Sequence, residues 1–313
     1  MTLRWTHLGT TDVVAWSELV NLLATVDRTA EVYAPEDLAE ELEEHDLDRV
    51  QDSLAVWDGD QLVGFGLLRV SSALTAEGYA RANLEGGVHP RWRGRGIGTE
   101  LMDRMEPRAR ELAVQRHPGV PRQLRVSGRL DGDPVRPLLE HRGYATARFF
   151  TEMARPLPGA QVAAVDPRVV PYSADLADAV RLAHNDAFAT HWGSTAQSPG
   201  QWDDMVTSRA FRPETSTLVL DGDEVLAYVL TAQWVPRELY VSLVGTRQAA
   251  RGRGLARACL AGSVAAAAAS GDYDVVELEV DSANPTGAGD MYASLGFVET
   301  KTTATYAKVE HEG

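Results

Sequence analysis

The 313 residues are 44% hydrophobic and 24% charged, the composition of a globular protein of about two ordinary domains, which sets aside disordered, collagen-like and membrane-spanning classes. Forty-five acidic residues against 30 basic ones give a net charge of −15, which argues against phosphate-backbone recognition, since nucleic-acid binding rests on a positive face. Cys259 is the single cysteine, so an intrachain disulfide is impossible, a cysteine-based zinc site has no support, and no metal is expected.

In chain order, Asp12 to Val26 carries apolar residues at helical spacing (Val13, Trp16, Leu19, Val20, Leu23), and Ala34-Pro35-Glu36-Asp37 opens a second helix with acids in its first turn. Ser53 to Val70 reads as two strands turning at Asp58-Gly59-Asp60. Arg81 to Val88 is extended, and Gly98 to Arg116 is a long helix that Pro107 should kink or break. Gln123 to Val126 reads as a strand, Pro134 to His141 as a short helix and Phe149 to Ala154 as a strand. Arg155-Pro156-Leu157-Pro158-Gly159 stops helix and strand alike, so the domains are placed at 1–155 and 156–313.

The second half repeats that order. Asp175 to Ala189 is helical, and Ser198-Pro199-Gly200-Gln201-Trp202 opens another helix. Thr217 to Ala232 is a hairpin around Asp221-Gly222-Asp223, Leu239 to Gly245 is a strand, and Leu255 to Ser270 is an alanine-rich helix. Val275 to Val280 is a strand, Gly287 to Ser294 a helix and Thr303 to Val309 a strand. Matching elements at a near-constant offset imply a duplicated domain. The alanine run near Ala265 is far too short to span a membrane. Met1 to Trp5 leads into Asp12 and Glu18 rather than an apolar secretory core, so a cytoplasmic address is expected.

Arg93-Gly94-Arg95-Gly96-Ile97-Gly98 and Arg251-Gly252-Arg253-Gly254-Leu255-Ala256 each join a strand to a long helix. Glycines there let the main chain turn successive N–H groups toward one point, and the helix N-terminus adds positive dipole. The combination suits a pyrophosphate. Neither loop has the Lys-Ser/Thr ending of a P-loop or the dinucleotide fingerprint of a parallel unit.

These residues resemble a family. Arg-x-x-Gly-x-Gly/Ala before a helix, with Val88-x-Pro90 ahead of the first loop, is similar to the acyl-CoA motif of the GCN5-related N-acetyltransferases (GNAT family), and the resemblance covers the chain as two tandem copies. It implies an α/β (α+β) fold of two domains, each a mixed, largely antiparallel twisted sheet flanked by helices. It implies acetyl-CoA as the donor. By the same resemblance the loop amides (Arg251, Gly252, Arg253, Gly254, Leu255, Ala256) hold the pyrophosphate of CoA, and Leu243, Val244 and Gly245 hold its pantetheine arm and acetyl carbonyl. In the first copy Val88, Arg93, Gly94, Arg95, Gly96 and Gly98 take the matching places.

Acetyl transfer to an amine needs a proton for the departing thiolate and a base for the amine. Asn284-Pro285-x-Gly287-Ala288-x-x-Met291-Tyr292-x-x-Leu295-Gly296-Phe297 resembles the family segment in which an asparagine contacts the cofactor arm and a tyrosine approaches the sulfur. The implied roles fall on Asn284 and Tyr292. Aligning Gly143-Tyr144 on Gly296-Phe297 sets Leu139 opposite Tyr292 and Asp133 opposite Asn284. Leucine donates no proton, so the first domain is expected to be catalytically degenerate and the second catalytic.

Glu238, Tyr240 and Ser242 share a face by the period of two; Glu238 is the candidate base working through water, with a solvated strand-start residue beside Arg237 as the other reading. His191-Trp192-Gly193 lies where the family builds its acceptor pocket, so His191, Trp192 and Tyr240 are candidate acceptor contacts. Cys259 sits inside a helix, which disfavours an acetyl-cysteine route. The tandem layout is similar to that of the mycothiol synthases, which acetylate a cysteinyl amine. Those enzymes carry a glutamate where Tyr240 stands and a pocket lysine, whereas the second half has no lysine before Lys301. The acceptor expected is therefore the primary amine of a small molecule, with a non-catalytic acyl-CoA sensor as the competing reading and the oligomeric state open.

Overall fold

The computed structural model describes residues 3–27, 32–129, 135–157, 164–283 and 287–311. The chain divides into two compact units, Met1–Ala147 with Ala304–Gly313, and Arg148–Thr303. Pro156 is the last residue of a strand that pairs inside the second unit, so the division falls near that strand's start, and Pro158 and Gly159 lie outside the described residues.

The first unit contains β1 (Arg4–Thr6), α1 (Val13–Asp27), α2 (Pro35–Glu41), α3 (Arg49–Asp52), β2 (Ser53–Asp58), β3 (Gln61–Val70), β4 (Ala80–Val88), α4 (Ile97–Arg116), β5 (Arg122–Arg129) and α5 (Arg136–His141). β1 to β4 pair antiparallel in sequence order, and β4 pairs with β5 in parallel. α4 runs through Pro107 without a break, because Leu101, Met102, Met105, Ala109 and Leu112 on both sides of it bury one face. That packing outweighs the hydrogen bond proline cannot make. One face of the sheet, with Val56, Leu68, Ala82, Leu84 and Leu124, buries against α4 and α5. The other, with Ala55, Trp57 and Leu67, buries against Trp16 and Leu19 of α1 and Leu38 of α2.

The second unit begins in β6 (Ala145–Pro156) and continues through β7 (Val169–Pro171), α6 (Ala177–Ala187), α7 (Pro199–Thr207), β8 (Thr217–Asp221), β9 (Glu224–Ala232), β10 (Glu238–Thr246), α8 (Leu255–Ser270), β11 (Val275–Asp281), α9 (Ala288–Ser294) and β12 (Val298–Glu310). The order is β7-β8-β9-β10-β11-β6, with the start of β12 beside β6. Among the pairings described in this unit, β10 with β11 is the parallel one and the others are antiparallel. α7 is capped as its sequence promises: the Ser198 hydroxyl accepts from Gln201 N–H at 3.3 Å and the Gln201 side chain accepts from Ser198 N–H at 3.0 Å. α8 and α9 cover one face through Cys259, Leu260, Val264, Tyr292 and Phe297. α6 and α7 cover the other through Val180, Ala183, Trp202, Tyr228 and Leu230. The last residues of β12 join the first unit, where Tyr306 is in the core and Glu310 pairs with Arg110.

No described helix is long and apolar enough to cross a membrane. Among the described residues no group of three or more His, Cys, Asp or Glu side chains is arranged to hold a metal ion.

Candidate active site

The two glycine loops adopt one conformation. Each follows a 3-10 turn, Pro90–Trp92 or Gln248–Ala250. Gly94 and Gly96 have φ of 72° and 83°, and Gly252 and Gly254 have 74° and 71°, values that a side chain would oppose. All four are exposed. Each second glycine caps a helix, α4 or α8, whose first-turn amides have no acceptor within the helix. The result in each unit is an open turn of N–H groups at a positive dipole end, chemistry suited to a diphosphate.

The arginines that open the loops tie them to the first long helix of their unit. Arg251 donates to Ala187 O at the end of α6 at 2.7 Å. Arg93 donates to Val88 O at 3.1 Å and forks onto the Asp27 carboxylate at the end of α1. Arg95 reaches over the Trp92 ring, 5.9 Å from its centre. Arg253 is exposed and, with Arg257, Arg168 and Asp166, lines an open groove of about 420 Å³ beside the start of α8.

β10 pairs with β11 only from Glu238 to Val241, so beyond Val241 its β11-facing edge is released from the ladder. At that point the strand bulges: Val241 opposes Thr231 and Leu243 opposes Leu230, leaving Ser242 as an extra residue. A bulge re-aims the side chains beyond it. Leu239 and Val241 face the α8 core, Leu243 packs toward the α6 core, and Val244 turns back to the α8 side. The Ser242 hydroxyl is buried without a hydrogen-bond partner. Gly245 must be glycine, because a Cβ there would lie 2.3–2.4 Å from the ring and hydroxyl of Tyr228. That hydroxyl is 2.7 Å from His184 Nδ1. Burial, with His191 adding, pushes the His184 imidazole down to about 4, and burial raises the Tyr228 phenol.

Tyr292 lies on α9, is 7% exposed and packs its ring 6.2 Å from Phe297. Burial pushes its phenol up to about 12, so it keeps its proton at neutral pH. Asn284 lies outside the described residues. Cys259 is fully buried and burial pushes its thiol up to about 12, which leaves almost no thiolate for a covalent route.

On the opposite face of β10, Glu238 and Tyr240 point away from the α8 core, as do Glu277, Glu279 and Asp281 of β11 and Glu152 of β6, by the period of two. Tyr240 meets Trp234 edge-on at 5.8 Å, and its Cα is in register with Glu277. Burial, then the charges of Glu238 and Glu152, raise the Glu277 carboxyl above its usual range. The loop between α6 and α7 carries His191, held to Ser194 Oγ at 3.2 Å and edge-on to Phe188, and Trp192, whose ring lies under Arg148.

The profile of the acetyltransferase (GNAT) family matches residues 16–126 and 178–297, a span that takes in both glycine turns and Tyr292. The chain belongs to the GNAT acetyltransferase family. It is similar to the mycothiol acetyltransferase of Clavibacter sepedonicus, 29% identical over 243 residues that make up 76% of this chain and 77% of that protein. Its fold is similar to a GCN5-related N-acetyltransferase of Sphaerobacter thermophilus (TM-score 0.76, 21% identity, 99% and 96% of the two chains). It is also similar to a tandem GNAT protein from the clavulanic acid biosynthesis pathway (TM-score 0.70, 20% identity, all of both chains).

Leu139 of α5 is fully buried. A Cβ on Gly98 would meet Leu138 Cδ2 at 3.4 Å, and Val88 packs on the same core. Glu277, Arg148 and the His184–Tyr228 pair are not candidates from sequence. Their signal is register between strands or contact across 44 residues, which no local spacing carries.

Proposed function

We propose that the second unit, Arg148–Thr303, is the catalytic one and transfers an acetyl group from acetyl-CoA to the primary amine of a small molecule by direct attack. The observation that carries this reading is an asymmetry between the two units at positions the repeat aligns: a buried, protonated phenol at Tyr292 against an aliphatic side chain at Leu139. The residues fit the donor. A Cβ at Gly252 or Gly254 would stand in open space, and Gly254 caps the start of α8, whose first amides have no acceptor within the helix.

Acetyl-CoA supplies the activated acyl group and a thiolate that must leave. In this reading the amides of 251–256 grip its diphosphate, and the released edge of β10 at Leu243, Val244 and Gly245 orients the arm. Tyr292 holds the proton that the thiolate takes. Glu277 and Glu238, on the face that also bears Tyr240, attract the ammonium form of the acceptor and take its proton through water; the raised carboxyl of Glu277 is the better matched of the two for that step. His191 and Trp192 border the acceptor. The first unit has the same turn with Leu139 in the aligned place, a combination that leaves it structural or binding CoA without transfer.

Tyr292→Phe in the full chain tests the assignment. Thiol release in the presence of an accepted amine should fall about a hundredfold or more, while acetyl-CoA affinity by calorimetry stays within about threefold, since the phenol acts on the leaving group and not on the ground state. Turnover within threefold of the parent removes the acid role from Tyr292.

A further inference from the structure

We propose that the acceptor carries a carboxylate and that Arg148 is the residue that receives it. The proposal rests on the acetyl-transfer reading above and names its substrate class. β6 and β11 pair up to Phe150 and Asp281, and Ser282 N–H donates to Phe149 O at 3.0 Å, which fixes the strand end. Arg148 is two residues further along β6, so it shares the face that bears Glu152, Glu277, Glu279 and Asp281. That face is otherwise acidic. Its other cation among the described residues, Lys301, is bound to Glu152 at 2.9 Å.

The Arg148 guanidinium lies 5.0 Å over the Trp192 ring. Its Nε is screened from solvent and donates no hydrogen bond, an arrangement that is unfavourable until an acceptor arrives. The nearest carboxylate oxygen, Asp281 Oδ2, is 3.9 Å away, beyond hydrogen-bond length. Asp281 Oδ1 is already committed to Ala283 N–H at 2.9 Å. The side chain as a whole is 27% exposed. A planar carboxylate matches the unfilled fork of a guanidinium. A phosphate dianion matches poorly, because one arginine shared with Asp281 cannot balance two charges among so many acids. The acceptor then spans the face with its ammonium end toward Glu277 and Glu238 and its anionic end at Arg148.

The test uses the full chain, with CoA present for binding and acetyl-CoA for transfer, and three probe sets: alanine, β-alanine and γ-aminobutyrate; their amides; and O-phosphoethanolamine. Binding is read by calorimetry and transfer by thiol release. At least one carboxylate should bind about tenfold or more tighter than its amide, because an ionic site left unpaired by the amide rejects it. Arg148→Gln should erase that preference while leaving amide binding and acetyl-CoA affinity unchanged, and Arg148→Lys should keep part of it. The proposal is overturned if acids and amides bind alike, if neither binds, if phosphoethanolamine binds better than every acid, or if Arg148→Gln retains the preference. A carboxylate preference that Arg148→Gln removes, with no thiol release from any probe, sustains the anion site and sinks acetyl transfer instead.

Discussion

β4 and β10 begin alike and end differently. Both pair in parallel with the next strand for four residues, Ala80–Asn83 with Arg122–Arg125 and Glu238–Val241 with Val275–Leu278. Both lead into a glycine turn of the same handedness. β4 then stays regular against β3, and Ala80, Ala82, Leu84 and Val88 keep one parity toward one core. β10 takes an extra residue at Ser242 and switches parity. The difference teaches that the glycine turn and the strand geometry beside it are separable: one unit has the turn after a regular strand, and the other has it after a bulged one.

A second contrast sits beneath the same strands and gives the largest expected effect. Phe65 of β3 packs on Trp16 with ring centres 5.7 Å apart, whereas Tyr228 of β9 is hydrogen-bonded to the buried His184. With the folded imidazole pushed from 6.5 down to about 4, the unfolded chain takes up a proton near pH 6.5 that the folded chain accepts only near pH 4. The stability this histidine contributes is therefore complete above pH 6.5 and is lost as pH falls from there toward 4, on the order of 3 kcal/mol in all. Denaturant unfolding at pH 7 and pH 4.5 should show the loss in the parent and a flatter response in His184→Gln. An unchanged slope in that variant assigns the acid sensitivity to other groups.

Matched substitutions in the two turns sharpen the first contrast. A valine at either left-handed glycine strains the backbone by about 1–2 kcal/mol, so Gly96→Val and Gly254→Val should lower stability alike. Their effects on thiol release should part: about a hundredfold loss in kcat/KM, roughly 2.7 kcal/mol, for Gly254→Val, against a change within about threefold for Gly96→Val. Equal losses would make the first unit a partner in turnover.

Much of this is legible in the sequence because its signals are local. The two glycine turns, the hairpins at Asp58-Gly59-Asp60 and Asp221-Gly222-Asp223 and the Ser198 cap need only neighbouring residues, and each forms where its spacing places it. β1 and β7 escape such a reading because three residues are too few to show a period. The Ser242 bulge exists only relative to β9, and the acidic face with Arg148 only relative to the register of β6, β10 and β11. Pro107 misleads in the other direction: the rule against proline is local, and the core that overrides it is not.

The smallest effect distinguishes the two glycines that receive the aromatic rings. At Gly87 a Cβ would meet Leu23 Cδ1 at 2.3 Å and Phe65 Cε1 at 3.1 Å. The first is the tip of a flexible side chain on α1 that can rotate aside, so Gly87→Ala should cost less than about 1 kcal/mol. At Gly245 the three nearest atoms, at 2.3–2.4 Å, all belong to the Tyr228 ring and hydroxyl. Moving them breaks a buried hydrogen bond and disturbs a fully buried ring, so Gly245→Ala should cost about 2 kcal/mol or more. Adding Tyr228→Phe to Gly245→Ala should recover little, since the smaller ring still fills the site and His184 loses its partner. Thermal unfolding of the three variants reads the order directly, and equal costs at positions 87 and 245 would mean that Tyr228 moves as freely as Leu23.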